Sequence, residues 1–345
     1  MQDFDSLSNT GRLLHVCISD KKGVCKREIS SARVVVGHGL EGDAHAGDWH
    51  RQVSLLAHQD IEAMRAKGLS LIPGSFGENL VLDGIDTCDL GIGSQLQVGP
   101  ILLELSQIGK VCHTRCAIYY KTGDCIMPRT GLFARVLEGG IVAPGMNATV
   151  VSRVPRSTIQ AAILTASDRC AAGEIMDTAG PAVAKLLQEK LGAHIAWKGV
   201  VQDDLQLISG TLKELVERRL DLILTVGGTG LSPRDATPEA TRSVLDRELT
   251  GFCKAMRAGS SQVTRSGLLS RAVAGISRES LIINLPGSQK ASLENLAVVL
   301  PALRHAINVV RNQPSHAEAD AGRLVTVKSA EPDLGGNLQV VGVQG

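Results

Sequence analysis

Near residue 160 the hydropathy pattern changes its period, and that change limits the fold more than any single motif does. Before it, short apolar runs at residues 13–18, 34–36, 53–56, 80–82 and 95–105 are broken by Gly-Asp, Asp-Gly and Pro-Gly turns. This pattern predicts a β-rich unit, a β-barrel, with one helix over 59–67 that ends at Gly68. After it, apolar strands at 161–166, 195–201, 220–226 and 281–285 alternate with helical stretches. The helices are expected over 178–191, capped by Asp177 and stopped by Gly192, from Leu205, capped by Asp203 or Asp204, and over 290–311. Apolar strands separated by helices predict an α/β, doubly wound, mostly parallel sheet covered on both faces. The expected division is a barrel over 1–151, a linker over 152–158, an α/β domain over 159–312 and a tail over 313–345. In the tail, 323–328 and 337–343 are expected as short strands.

Composition removes several function classes. The 36 Lys+Arg against 35 Asp+Glu leave no excess of basic charge for nucleic acid or anionic lipid. Two Trp, two Tyr and four Phe are too few for a platform that stacks bases. The first residues carry neither a basic n-region nor an apolar h-region, and no apolar run reaches membrane-spanning length. We therefore expect a cytoplasmic protein with no membrane and no nucleic acid partner. Eight Cys are too sparse for a small disulfide scaffold, so a cluster among them would point to reactive thiols or a metal.

Three strands of the second half run into polar or glycine-rich sequence. They lead to Ser167-Asp168-Arg169, to Gly227-Gly228-Thr229-Gly230 and to Pro286-Gly287-Ser288. In a parallel open sheet all three loops leave the carboxyl edge, where such folds bind ligands. The glycine loop exposes backbone N–H groups suited to phosphate but lacks the Lys-Ser/Thr of a Walker motif. Beyond it, Thr237 is expected to cap a helix with Pro238 at its first position. Arg234 can neutralise phosphate and Asp235 can hold a divalent cation, while Glu239 suits either the site or the helix N-terminus. Asp203 and Asp204 are further candidates for a shared Mg²⁺ site, with helix capping as the alternative.

The segments SDRCAAGEIMDTAGP, VVQDD, DLILTVGGTGLSPRDATPEAT, LSRAVAG and LIINLPGS, in that order, resemble the molybdenum-cofactor biosynthesis family that includes molybdopterin adenylyltransferases. The resemblance covers about residues 158–311. It implies a homotrimer that transfers AMP from ATP, with Mg²⁺, to the phosphate of molybdopterin and releases pyrophosphate. It further implies that Asp235 and Asp203 are the functional carboxylates. Ser167, Asp168, residues 227–230, Arg234, Glu239, Gly287 and Ser288 would then contact nucleotide and pterin phosphate. Where the family usually carries Val-Pro-Asp-Glu this chain has Val-Gln-Asp-Asp, so Asp203 keeps the aligned Asp and Asp204 replaces a Glu.

In the first half Cys112, His113, Cys116 and Cys125 fall close together. Zinc is conceivable there, but adjacent residues rarely both ligate one metal and the spacing is not a Cys-x₂-Cys pair; buried thiols are a further reading. Lys110, His113 and Arg115 would lower a thiol pKa and favour a reactive Cys. The surrounding GLEGDAH, WHRQVS, PGSFGEN and GLFARVL resemble the MOSC domain, a β-barrel, over about residues 11–151. This implies binding of molybdenum cofactor or sulfur through Cys112, with Cys116 and Cys125 secondary, and His45, His50 and Arg51 on the pterin phosphate. The remaining Cys, Cys25 among them, read as structural or incidental. Tethering the halves would raise the effective concentration of a shared cofactor; a molybdate-inserting enzyme and molybdoenzymes are the implied partners. Alternatives are a non-enzymatic carrier of the pterin and a sulfur-transfer protein.

Overall fold

The computed structural model describes residues 9–110 and 125–311. The first half holds β1 (Thr10–Ile18), β2 (Arg27–Ile29), β3 (Ala32–Val35), β4 (Gly39–Leu40), β5 (Val53–Ala57), α1 (His58–Arg65), β6 (Leu80–Asp83), β7 (Gln95–Val98), β8 (Ile101–Ile108), β9 (Leu132–Glu138), β10 (Gly140–Val142) and β11 (Asn147–Ser152). Strands run β11-β7-β8-β9-β5-β6-β1, and β1 pairs back onto β11, so seven strands close a barrel with β2 hanging from β1. Closure leaves no free sheet edge in the ring. Leu96, Val98, Ile101, Leu103, Leu105, Leu132, Ala134 and Val136 alternate into its core. The expected single run over 95–105 is instead a hairpin: Gly99, at φ +54°, and Pro100 turn the chain so that Val98 faces Ile101.

The second half holds β12 (Gln160–Ala166), α2 (Asp168–Ala171), α3 (Ala179–Leu191), β13 (His194–Val201), α4 (Leu205–Glu217), β14 (Leu222–Val226), α5 (Thr237–Arg242), β15 (Arg247–Glu248), α6 (Thr250–Val263), β16 (Ala274–Ser277), β17 (Ser280–Leu285) and α7 (Gln289–Val310). The order β13-β12-β14-β17-β16-β15 is parallel through its first four strands and antiparallel at β16 and β15. Period-two alternation sends Leu222, Leu224 and Val226 to the face covered by α3, α6 and α7, while Ile223 meets α4 on the other. β12 lies between β13 and β14, so the chain reverses its winding there, at a topological switch point. Helix α7 is apolar enough by length and composition to span a membrane, yet Leu296, Val299, Leu303 and Ile307 face the sheet core. That spacing is one face of a core helix.

Two cap assignments move. Helix α3 starts at Ala179 with Thr178 at its N-cap, although Asp177 still accepts the Gly180 N–H at 2.9 Å. Helix α5 has Ala236 at the N-cap position, with Thr237 and Pro238 inside its first turn. The region around 152–158 is not detached from the barrel: Pro155 bridges Leu90, and the Arg156 N–H donates to the Asp89 carbonyl at 3.0 Å. The strands expected at 323–328 and 337–343 lie outside the described residues.

The barrel sits against the amino edge of the α/β sheet. Arg219, just before β14, donates to the Pro128 carbonyl at 2.9 Å, His194 at the start of β13 packs on Gly93, and Ile92 joins the core beneath α4. The carboxyl edge, with its three loops, faces the other way. Seven residues of β12 separate the edges, about 20 Å at roughly 3.3 Å per residue.

Candidate active site and barrel cavity

At the carboxyl edge the three loops do meet. Two adjoining cavities, of about 600 and 270 Å³, share Gly228 and Gly287; Asp235 and Ser288 line the larger, Ser167 and Asp203 the smaller. The glycines are dictated by geometry. Gly227 and Gly228 hold φ of +103° and +60°, and a Cβ on Gly227 would stand 2.2 Å from the Ala166 carbonyl oxygen. A Cβ on Gly228 would fall 2.3 Å from Thr237 Oγ1 and 2.8 Å from Asp203 Oδ1. Both oxygens are buried without a hydrogen-bond partner. An orphaned hydroxyl and an orphaned carboxylate oxygen beside a glycine backbone form an incomplete polar cradle, suited to a ligand's oxygens and cation.

Asp203 is fixed from behind by Asp168: each carboxylate accepts the other residue's backbone N–H, at 3.1 and 3.2 Å. Burial, then the neighbouring Asp168 and Asp235, pushes the Asp203 carboxyl above its ordinary value. Arg234 pairs with Asp168 at 2.6 Å from an exposed position on the rim. Asp235 closes its own turn by accepting the Ser232 N–H at 2.9 Å. Ser288 caps α7, whose N-terminus adds partial positive charge at the site. Ser167 caps α2.

Two candidates are placed elsewhere. Asp204 is exposed and caps α4, accepting the Gln206 and Leu207 N–H groups at 2.9 Å, so it lines neither cavity. Glu239 also lies outside both and pairs with Arg271. Arg271 is the residue that motif reading missed. Its Nε donates to the Gly230 carbonyl at 2.6 Å, its Nη2 to the Asp235 carbonyl, and its N–H to the Thr229 carbonyl at 3.0 Å. It therefore clamps the loop over 229–235 from beneath. Its only sequence signal was its place in LSRAVAG, next to the strand that enters the sheet backwards. Among the described residues no three His, Cys, Asp or Glu side chains gather as a metal site.

The barrel carries a separate cavity of about 310 Å³ on its outer wall, lined by Cys25, His45, Trp49, Arg51, Lys110, Cys125 and Phe133 among others. Arg51 lies over the Trp49 ring, 4.7 Å from its centroid, and 5.8 Å from that of Phe133. The Gly-Glu-Asn motif builds the wall. Buried Glu78 accepts the Gly74 and Phe76 N–H groups at 2.7 and 2.9 Å, and Asn79 ties β5 to Cys17 and Asp43. Burial alone would raise Asp43, but hydrogen bonds from His45 and Lys26 outweigh it and hold its carboxyl below the usual range. His50 departs from expectation. It is absent from the cavity wall and turns toward the α/β half, bonding Gln107 at 2.9 Å and standing 3.7 Å from Glu214. Burial, then Arg218, pulls its imidazole down to about 4. Cys25, taken as incidental, lines the cavity; Cys112 and Cys116 lie outside the described residues.

The architecture is thus an α/β domain with a glycine loop and two cavities at a switch point, joined through its opposite edge to a closed barrel. Residues 162–305 match the family described as "Probable molybdopterin binding domain", and residues 42–149 match the MOSC domain. A molybdopterin adenylyltransferase of Helicobacter pylori is 39% identical over 155 residues, which cover 44% of this chain and 88% of that protein. That of Escherichia coli K12 is 38% identical over 148 residues, 42% of this chain and 76% of the relative. Gephyrin of Dictyostelium discoideum is 38% identical over 170 residues, but the chain spans only 24% of its length. The solved structure of the molybdopterin biosynthesis enzyme MoaB of Thermus thermophilus shares 44% identity, covering 46% of this chain and 99% of its own, with a TM-score of 0.44. Through its C-terminal half the chain belongs to the molybdenum-cofactor biosynthesis family of molybdopterin adenylyltransferases, and a MOSC domain is fused ahead of it.

Proposed function

We propose that the carboxyl-edge site adenylylates molybdopterin: the pterin phosphate attacks the α-phosphorus of ATP and pyrophosphate leaves. The observation that carries this reading is the convergence of Asp203 Oδ1 and Thr237 Oγ1, both unpartnered, on the Gly228 backbone between the two cavities. One cavity suits nucleotide and the other pterin, with the reacting phosphates over the glycine loop. No covalent nucleophile is required; orientation and neutralisation of charge lower the barrier. Backbone N–H groups of the loop and the α7 N-terminus receive phosphate oxygens, and Arg234 can swing from Asp168 to a phosphate. Mg²⁺ arriving with ATP would be held by Asp235 and Asp203 together with phosphate oxygens, which suits an ion that takes one or two carboxylates and keeps its waters. When bound it supplies charge neutralisation. Pyrophosphate release from ATP with purified molybdopterin, in wild type and Asp235→Asn, tests the reading. Pterin binding with no pyrophosphate would favour the carrier instead.

For the barrel, a cavity lined by Arg51 and Lys110 together with Cys25 and Cys125 supports binding of an anionic cofactor beside a soft ligand. The role of Cys112 as that ligand is part of the same proposal, tested by persulfide labelling and cofactor retention in Cys112→Ser. Because the carboxyl-edge site lies at the edge of the sheet away from the barrel, transfer from it to the barrel cavity within a chain requires release. Exposed Val263, Leu268 and Leu269 beside the larger cavity support the homotrimer expected of the family.

A further inference from the structure

Between the barrel and the amino edge of the sheet runs a crevice walled by guanidinium groups. One part, of about 350 Å³, is lined by Arg129, Arg156, Arg218, Arg219 and Glu279. A second, of about 360 Å³, shares Arg219 and Glu279 and adds Arg51, Arg278 and Glu217. Six arginines thus face two glutamates.

Arg219 is paired with Glu279 at 2.9 Å, but Arg156 and Arg218 form no ion pair among the described residues. Arg156 gives its guanidinium to the carbonyls of Cys88 and Arg129, at 3.5 and 2.7 Å. Arg218 is only 4% exposed; its Nη2 reaches the Ala196 carbonyl at 3.3 Å and its Nε has no hydrogen-bond partner. Glu214 and Glu104 act on Arg218 only from beyond ion-pair distance. A guanidinium cannot shed its proton in a protein, so a buried one with no carboxylate in contact is unfavourable unless a ligand supplies the charge. The backbone adds a second sign. Among the described residues only Arg219 and Arg278 hold positive φ without being glycine, at 61° and 51°. Such a conformation costs about 1–2 kcal/mol per residue. Arg219 stands just past the end of α4, where glycine would relieve the strain but remove a charge from the crevice.

We propose that this crevice binds a multiply charged oxyanion, a phosphate or diphosphate group, at a site independent of the carboxyl edge. Its ligands come from both halves: Arg129 and Arg156 from the barrel side, Arg218 and Arg219 from the end of α4. The anion therefore binds only the docked arrangement and stabilises it by mass action.

The test is thermal unfolding of the full chain at fixed ionic strength with sodium phosphate, sodium pyrophosphate or ATP, against sodium chloride. Phosphate or pyrophosphate raises the wild-type midpoint by roughly 5 °C at about a hundredfold excess over Kd. Arg218→Met and Arg156→Gln lose that rise, whereas Arg234→Gln, at the carboxyl edge, retains it. Arg218→Met also melts above wild type without ligand, because it removes an unpaired buried charge; a merely structural arginine would make it melt lower. ATP raises the midpoint through the carboxyl edge in any case; only a part of its rise that is lost in the same two variants and kept in Arg234→Gln assigns the crevice to a nucleotide's phosphates. The proposal is overturned if no oxyanion shifts the wild type. A shift equal in Arg218→Met, Arg156→Gln and wild type, or lost equally in Arg234→Gln, also overturns it.

Discussion

Asp168 and Asp203 exchange hydrogen bonds, each carboxylate accepting the other's backbone N–H, at 3.1 and 3.2 Å. Two acids are thereby held side by side at the ends of β12 and β13, with one oxygen of Asp203 left buried and unpartnered. The arrangement is unfavourable without a cation, and the raised pKa of Asp203 expresses that. Stability contributed by this group falls as pH rises through its shifted pKa, since the native state holds the proton longer than the unfolded chain. Asp203→Asn should therefore melt at or above the wild-type temperature at pH 7. Its pyrophosphate release should nonetheless fall about a hundredfold or more, the loss expected when a preorganised charge is removed from a phosphoryl site. Calorimetry and a pyrophosphate assay on the same preparation check both halves of this expectation.

Arg271→Met removes the clamp on residues 229–235. Charged hydrogen bonds to carbonyls contribute about 1.5–3 kcal/mol each at most, so a stability loss of about 2 kcal/mol is expected. Amide hydrogen exchange over 229–235 should accelerate, and KM for ATP should rise. Glu239→Gln, which leaves the bonds to Gly230 and Asp235 intact, should do much less. Equal effects of the two substitutions would contradict the clamp.

Gly228→Ala places a methyl group against Thr237 Oγ1 and Asp203 Oδ1 in a left-handed backbone. Nucleotide binding should be lost at concentrations that saturate the wild type, with destabilisation of about 1–3 kcal/mol. Titration calorimetry with ATP and urea unfolding measure the two separately.

His50 is surrounded by Gln107, Glu214, Arg218, Arg51 and Arg135, and burial holds it neutral down to about 4. Its ordinary value is near 6.5. Between those values the unfolded chain binds the proton and the native chain does not, so stability is full above pH 6.5 and is lost as pH falls toward 4. The contribution is on the order of a few kcal/mol. Urea midpoints between pH 4 and 7 should fall less steeply in His50→Asn than in wild type.

Cys17 is buried and its thiol is pushed up to about 12, whereas Cys25 is exposed on the cavity wall. Iodoacetamide at pH 8 should label Cys25 in the native protein and Cys17 only after unfolding. Peptide mass spectrometry reads both, and labelling of Cys25 should slow when an anionic pterin occupies the cavity.

The sequence by itself determined the class of each half, a β-barrel followed by a mostly parallel α/β sheet. Period-two alternation and continuous apolar strands are local signals, and the sheet and barrel cores obey them residue by residue. It also located the three loops at the carboxyl edge, because in a parallel sheet every strand delivers its end to the same side. Only the tertiary structure decided what each polar residue does there. Asp203 and Asp204 are adjacent in sequence, yet one faces the cradle and the other caps α4, because helix entry at Leu205 rotates their side chains apart. Arg271 acts on a loop some forty residues earlier in the chain, through the antiparallel return of β16, which no local pattern encodes. His50 reads as a cavity residue beside Arg51, but its imidazole is bonded to Gln107 and stands near Glu214, so the α/β half claims it, while Arg51 lines the barrel cavity and the crevice alike. The joining of the halves was likewise beyond the sequence. Docking through the amino edge buries arginines between two folded units and leaves the carboxyl-edge site on the side of the sheet away from the barrel.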